Sequence, residues 1–276
     1  MDSDVFTVVR AGHVATLWLD SPARGNAMGP DFWAELPVAM AELDDDPEVR
    51  AIVIAAKGKH FCVGLDLASM GGEVLGPSGS DDGVSSAAAK AASFYRMVSR
   101  LQASITAVDR CAKPVIAAIH GGCIGGGVDL VSACDIRLAA TGAFFSIRET
   151  RLAMVADVGT LQRLPLIIGK GHMAELAYTG KDIDAQRAAA IGLVNDVLPD
   201  VDALHSAAHA LAEEIAANSP LAVQGTKQVL RACADRTVEE GLDYVAVWNA
   251  AFMQSRDLTE AITAFFEKRP ATFTGQ

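Results

Sequence analysis

Apolar and polar positions alternate with a period of two in Val5 to Val9 and again in Val14 to Leu19, with Ala11-Gly12 between them. That period buries one face of a strand, so the pair predicts a β-hairpin. Two later runs, Ala51 to Ala56 and Pro114 to Ile119, are apolar throughout, as strands covered on both faces are. A short strand is expected over Ala143 to Ile147. Helical periodicity covers Asn26 to Leu43, where Pro37 predicts a kink or a late start, and Ala87 to Val108; a further helix is expected to begin over Val128 to Ala133. After Asn195 the pattern is almost purely helical: Asp202 to Ala217, Leu221 to Ala234, Val238 to Met253 and Leu258 to Phe266, with Asn218-Ser219-Pro220 punctuating the first junction. Gly71 to Ser86, rich in Gly, Ser and Asp, reads as a connection, either a mobile one beside a substrate entrance or surface filler.

Strands alternating with helices predict an α/β fold of repeated ββα or βαβ turns. The helical tail sets a soft boundary near Asp196 to Pro199, giving a core over 1–196 and a helical region over 197–276. A chain of 276 residues that is 51% hydrophobic has enough apolar surface for one large core. Its net charge of -11 argues against a general nucleic-acid or anionic-membrane surface, yet leaves room for a few local cations. Met1-Asp2-Ser3-Asp4 is acidic and no long apolar run follows, so neither a signal peptide nor a membrane span is expected. The cysteines Cys62, Cys111, Cys123, Cys134 and Cys233 are odd in number and form no CxxC pair, which suits a reduced cytoplasm. There is no GxGxxG, GxxxxGK[ST] or HExxH motif. His205 and His209, four apart, lack a third ligand nearby and fit a solvated helix face better than a metal site.

The candidate chemistry lies between His120 and Leu164. The run His120-Gly121-Gly122-Cys123-Ile124-Gly125-Gly126-Gly127-Val128-Asp129-Leu130 joins a strand to a helix start. Glycines there let backbone N–H groups approach a ligand, and such donors suit a developing oxyanion as well as a phosphate. Three acids follow: Asp129, Glu149 and Asp157. Two of these acids, and one cysteine of the turn, have a bland reading. Asp129 fits a helix-start acid, Glu149 fits a partner for Arg148 or Arg151, and Cys123 is more readily a packing residue than a nucleophile. Acids downstream of an anion-binding turn also suit proton transfer beside a polarised carbonyl, and the apolar run before Asp157 would raise its pKa.

Taken in order and spacing, these segments resemble the crotonase (enoyl-CoA hydratase/isomerase) superfamily, from Val14–Leu19 through Arg24-Gly25-Asn26-Ala27-Met28 to the C-terminal helices. The resemblance implies a spiral of ββα turns followed by a helical trimerisation region. It implies an oxyanion hole from the backbone N–H of Leu65, within Phe61-Cys62-Val63-Gly64-Leu65-Asp66-Leu67, and of Gly126. Val63, Gly64, Asp66, Gly122 and Arg24 would contact the acyl-CoA thioester, with Arg24 toward the phosphates or adenine. Lys57, Lys59, Lys268 and Arg269 are weaker candidates. No cofactor is implied, since CoA is part of the substrate.

Asp129, Glu149 and Asp157 are similar to the acids of Δ3,5-Δ2,4-dienoyl-CoA isomerases. Hydratases usually have Glu at the Asp129 position and a Pro-Gly-x-Gly-Gly turn where this chain reads Ala156-Asp157-Val158-Gly159-Thr160. Asp157 therefore stands where they have glycine, leaving less room for a hydratase's ordered water. The implied reaction is isomerisation of 3,5-dienoyl-CoA to 2,4-dienoyl-CoA in fatty-acid β-oxidation. In it Glu149 takes a proton from C2, Asp129 delivers one at C6, and Asp157 hydrogen-bonds into the set. An enoyl-CoA hydratase is the alternative within the enzymes, and a non-catalytic acyl-CoA-binding subunit the alternative outside them. Self-association as a trimer or dimer of trimers is expected, anchored by Val245, Val247, Trp248, Phe252, Phe265 and Phe266.

Overall fold

The computed structural model describes residues 3–74 and 86–276. Strands β1 (Phe6–Ala11) and β2 (Val14–Leu19) lead to helix α1 (Pro30–Asp45), strand β3 (Ala51–Ala56), and helices α2 (Leu67–Val74) and α3 (Ala87–Arg110). Next come β4 (Val115–Ile119), β5 (Gly122–Ile124), α4 (Gly126–Ser132), β6 (Ile136–Ala140) and β7 (Phe144–Ser146). Helices α5 (Thr160–Ile167) and α6 (Gly169–Thr179), strand β8 (Asp182–Asp184), helix α7 (Ala185–Ala190) and strand β9 (Asp196–Leu198) complete the spiral. Four helices follow: α8 (Val201–Ala216), α9 (Pro220–Ala232), α10 (Val238–Phe252) and α11 (Arg256–Glu267).

The strands form a six-stranded sheet ordered β1-β2-β3-β4-β6-β9 and a three-stranded sheet ordered β5-β7-β8. Only the hairpin β1–β2 is antiparallel in the larger sheet; the remaining pairs are parallel, as helical crossovers require. The hairpin turns at Gly12-His13, where Gly12 has φ 55°. Period-two packing is clearest in β3. Ile52, Ile54 and Ala56 join the main core with α1, whereas Ala51, Val53 and Ala55 meet Leu204, Ala208 and Ala212 of α8 on the other face.

The boundary expected at 196/197 falls inside β9, and α8 buries its Leu204, Ala208, Ala212 and Ala216 stripe against the sheet. The helical region thus shares the spiral's core at its start, and only α9 to α11 project beyond it with broad apolar exposure. The first long helix starts at Pro30 rather than Asn26 and runs through Pro37, whose ring nitrogen leaves the Trp33 carbonyl without its helical donor. Of the stretch expected as a connection, residues 71–74 finish α2 and Ser86 caps α3 by accepting from the Ala89 N–H; residues 75–85 lie outside the described residues.

On α9 to α11, large apolar side chains face solvent: Leu230, Leu242, Val247, Phe252, Ile262, Phe265 and Phe266, the last two being 78% and 77% exposed. Trp248 and Phe252 stack with ring centres 4.6 Å apart. No helix among the described residues is long and apolar enough to cross a membrane.

Candidate active site

Two backbone loops build the anion-binding end. Residues 62–66 and 122–126 run side by side: the Cys62 N–H donates to the Gly122 carbonyl at 3.0 Å, and the Ile124 N–H to the Cys62 carbonyl at 2.9 Å. Gly64 has φ 90°, and a Cβ there would lie 2.9 Å from the Ile124 carbonyl oxygen. Only glycine lets the loops close so tightly. A Cβ at Gly126 would stand 2.6 Å from the Met28 sulfur, so a side chain there has to displace that buried methionine. The Met28 N–H donates to the Gly64 carbonyl and the Asp66 N–H to the Met28 carbonyl, which fixes the strand-like run carrying Leu65. Neither the Leu65 nor the Gly126 N–H has a protein acceptor among the described residues. Both donors remain available to a ligand oxygen.

The remaining expected contact residues have defined structural work. Val63 donates its N–H to the Gly25 carbonyl at 3.1 Å and packs its side chain under Gly25. Asp66 caps α2, accepting from the Ala68 and Ser69 N–H groups, and pairs with Arg24 at 3.2 Å. The hydrogen bonds with Ser69 lead the effects that hold the Asp66 carboxyl below the ordinary range. Gly122 is buried in β5 and donates to His60 Nδ1 at 3.0 Å, with Phe144 closing the space above it. Arg24 keeps its side chain largely exposed at the loop edge. Lys57 pairs with Asp20, and Arg269 with Glu260 and Glu267, so those two cations already have local partners.

Asn26, absent from the expected site, stitches these loops together. Its side chain accepts from the Ser21 N–H and donates to the carbonyls of Lys57 and His60, while its φ of 56° turns the chain.

The acids come from three elements. Glu149 opens a short 3-10 helix, Glu149–Leu152, that follows β7. Its Oε1 lies 3.4 Å from where a Cβ on Gly125 would stand, beside the glycine turn, and its Oε2 is buried with no hydrogen-bond partner. The alternative reading as an arginine partner does not hold. Arg148 is taken by Asp182 at 2.8 Å, and Arg151 donates to the Thr179 carbonyl. Burial, followed by the charges of Asp129 and Asp157, raises the Glu149 carboxyl to about 7.

Asp129, on α4, is 1% exposed, and its Oδ1 accepts the Thr160 N–H at 2.6 Å at the start of α5. Burial raises its carboxyl to about 6, with the Thr160 hydrogen bonds and Arg163 pulling the other way. Asp157 lies on the loop between the 3-10 helix and α5, a loop launched by Ala153 in the left-handed region at φ 57°. Its side chain is exposed at the surface, yet partial desolvation still raises its carboxyl above the ordinary value. The three acids are therefore graded: one enclosed, one half-buried beside the glycine turn, one open.

Asp129 makes a stability prediction with a definite sign. Its folded pKa of about 6 exceeds the ordinary carboxyl value of about 4, so the folded chain binds this proton more tightly than the unfolded one. Its contribution therefore falls as pH rises from about 4 through about 6. Asp129→Asn is expected to raise Tm relative to wild type at pH 8, with the gap closing toward pH 4, as differential scanning calorimetry would show.

Cys123 is fully buried opposite Cys62, and burial pushes its thiol well up, so it packs under the turn instead of acting as a nucleophile. His205 stands edge-on to Trp18 and His209 approaches Glu213; no cluster of metal-ligating residues occurs among the described residues.

Residues 10–276 match the family described as enoyl-CoA hydratase/isomerase. The chain belongs to that family. It is an enzyme of the hydratase/isomerase type, and its α/β spiral with a C-terminal helical region is the crotonase fold. A peroxisomal Δ(3,5)-Δ(2,4)-dienoyl-CoA isomerase of Arabidopsis thaliana is 45% identical over 273 residues, covering 99% of this chain and 93% of that protein. A mitochondrial enzyme of the same name from Mus musculus is 45% identical over 259 residues, covering 93% and 77%. Among solved structures of the family, an enoyl-CoA hydratase from Bacillus anthracis superposes with a TM-score of 0.88 at 31% identity, covering 99% of this chain and 100% of that one.

Proposed function

We propose that this family member isomerises 3,5-dienoyl-CoA to 2,4-dienoyl-CoA as a step of fatty-acid β-oxidation. The observation that carries the reading is the third carboxyl, Asp157, open beside a half-buried Glu149 whose Oε2 has no partner. A hydratase needs two acids and a held water, whereas a proton moved along a conjugated chain needs separate sites of loss and gain. The relatives named dienoyl-CoA isomerase, at 45% identity, support the same choice.

In this scheme the thioester oxygen accepts the Leu65 and Gly126 N–H groups. Glu149 removes a proton from C2, and the negative charge spreads from the thioester oxygen along the dienolate to C6. Protonation at C6 then leaves double bonds at C2 and C4. The sequence-based expectation gave the C6 proton to Asp129. The difference in exposure favours the reverse division: Asp129 is enclosed with one oxygen committed to Thr160, while Asp157 is open to an arriving chain. Asp157 thus serves as the donor, and Asp129 is coupled by charge to both other acids.

Incubation with 3,5-dienoyl-CoA should give the absorbance of a diene conjugated to the thioester, with far slower hydration of 2-trans-enoyl-CoA. Faster turnover of the enoyl substrate would favour the hydratase alternative. Arg24 is assigned to the CoA phosphates on its exposure at the loop edge.

The exposed apolar faces of α10 and α11 fit a trimer or dimer of trimers. Light scattering at micromolar concentration should give a multiple of the 28.8 kDa chain mass, and Phe265→Glu with Phe266→Glu should reduce it. A monomeric wild type would contradict this assignment.

A further inference from the structure

Beside the acids, α3 and α5 form a brace that the reaction scheme leaves unused. Gln102 on α3 donates its Nε2–H to the Asp157 carbonyl at 2.6 Å. One turn further on, the Thr106 hydroxyl accepts from Arg163 Nη2 at 3.1 Å. Arg163, on α5, also donates from Nη1 to the Val158 carbonyl at 3.4 Å. Gly159, at φ 132°, lies against the guanidinium so closely that a Cβ would collide with it. The next residue, Thr160, holds Asp129. The loop carrying Asp157 and the start of α5 are therefore tied to α3 through one arginine and one glutamine.

Arg163 makes no direct ion pair with either aspartate, so its role is set by charge across the site and by the fork of its guanidinium. Asp129 is faced by Asp157 from the loop, Glu149 from the 3-10 helix, Arg163 from α5, and the Cys62 and Cys123 thiols from the two glycine loops. Arg163 also acts on the Cys134 thiol. Among these groups facing Asp129, Arg163 supplies the one positive charge.

We propose that Arg163 is a positioning residue of the proton-transfer set: held by Thr106 and the Val158 carbonyl, it supplies the counter-charge for Asp129 and pins the loop that presents Asp157. Its charge draws the Asp129 carboxyl down against burial, after the larger effect of the Thr160 hydrogen bonds. A purely structural arginine would brace the loop without moving that titration. Lysine would keep the charge but cannot make both hydrogen bonds in one plane.

The inference rests on the isomerase reading for what the acids do, but not for the charge they feel. Its test is therefore made without substrate. Isotope-edited infrared spectra of protein labelled with 13C-aspartate, with Asp129→Asn subtracted, report the titration of the Asp129 carboxyl. Arg163→Gln is expected to move that midpoint up by roughly one pH unit, and Arg163→Lys to restore most of the difference. On 3,5-dienoyl-CoA, both variants should lose kcat with KM held within about twofold. Should Arg163→Gln fail to fold, Thr106→Val releases the same guanidinium and should shift the midpoint upward by less. An unchanged Asp129 midpoint in Arg163→Gln, or in Thr106→Val where that variant stands in for it, would overturn the proposal, whether or not dienes are turned over.

Discussion

Glu149→Gln is expected to lower kcat on 3,5-dienoyl-CoA by on the order of a thousandfold, the scale of a lost general base. The amide keeps the size of the side chain and its place against Gly125, so acyl-CoA affinity should hold. Wild-type kcat should also depend on this group through pH. Proton removal needs the carboxylate, and its proton is lost around pH 7 in the folded chain, so the rate should climb as pH rises through that value. Bound substrate excludes water further and should move the midpoint upward. Glu149→Gln should abolish that rising limb. A residual rate in Glu149→Gln with the same pH midpoint would place the base elsewhere.

Asp157→Asn is expected to lower product formation by at least about a hundredfold with folding and acyl-CoA binding nearly intact. The exposure of its side chain makes structural damage small, and the backbone tie from Gln102 to the Asp157 carbonyl survives the substitution. Partial burial raises its carboxyl above the ordinary value, the direction that favours proton donation. Stopped-flow absorbance of the conjugated diene over a pH series would record the rising limb in wild type and the loss of rate in Asp157→Asn. Undiminished turnover by Asp157→Asn would remove this residue from the reaction.

The glycine turns were legible in the sequence because the constraint is local: a side chain at Gly64 would strike the facing backbone, and one at Gly126 the buried Met28 side chain. The long helices were legible for the same reason, and α8 to α11 lie within a few residues of their expected spans. Short strands such as β5, β8 and β9 carry three residues each, too few to show a period. The acids were readable as a set only through family spacing, since a carboxyl's burial depends on elements far away in the chain. That is why the enclosure of Asp129 and the openness of Asp157, on which the proposed division of roles rests, were not foreseen. The bracing roles of Asn26, Gln102, Thr106 and Arg163 were not legible, because each depends on at least one partner 31 or more residues away. A wide apolar face on α10 and α11 was foreseeable from composition, whereas the packing of α8 onto the sheet was not, since an alanine-rich stripe reads alike against a sheet or another helix.

The proton path from C2 to C6 is the centre of this account, and isotope placement tests it most directly. Wild type, Glu149→Gln and Asp157→Asn would each be given 3,5-dienoyl-CoA in deuterated water, with NMR following deuterium at C2 in recovered substrate and at C6 in product. The account predicts that Asp157→Asn still exchanges the C2 proton while forming little 2,4-diene, and that Glu149→Gln does neither. Exchange at C2 that persists in Glu149→Gln but disappears in Asp157→Asn would contradict it.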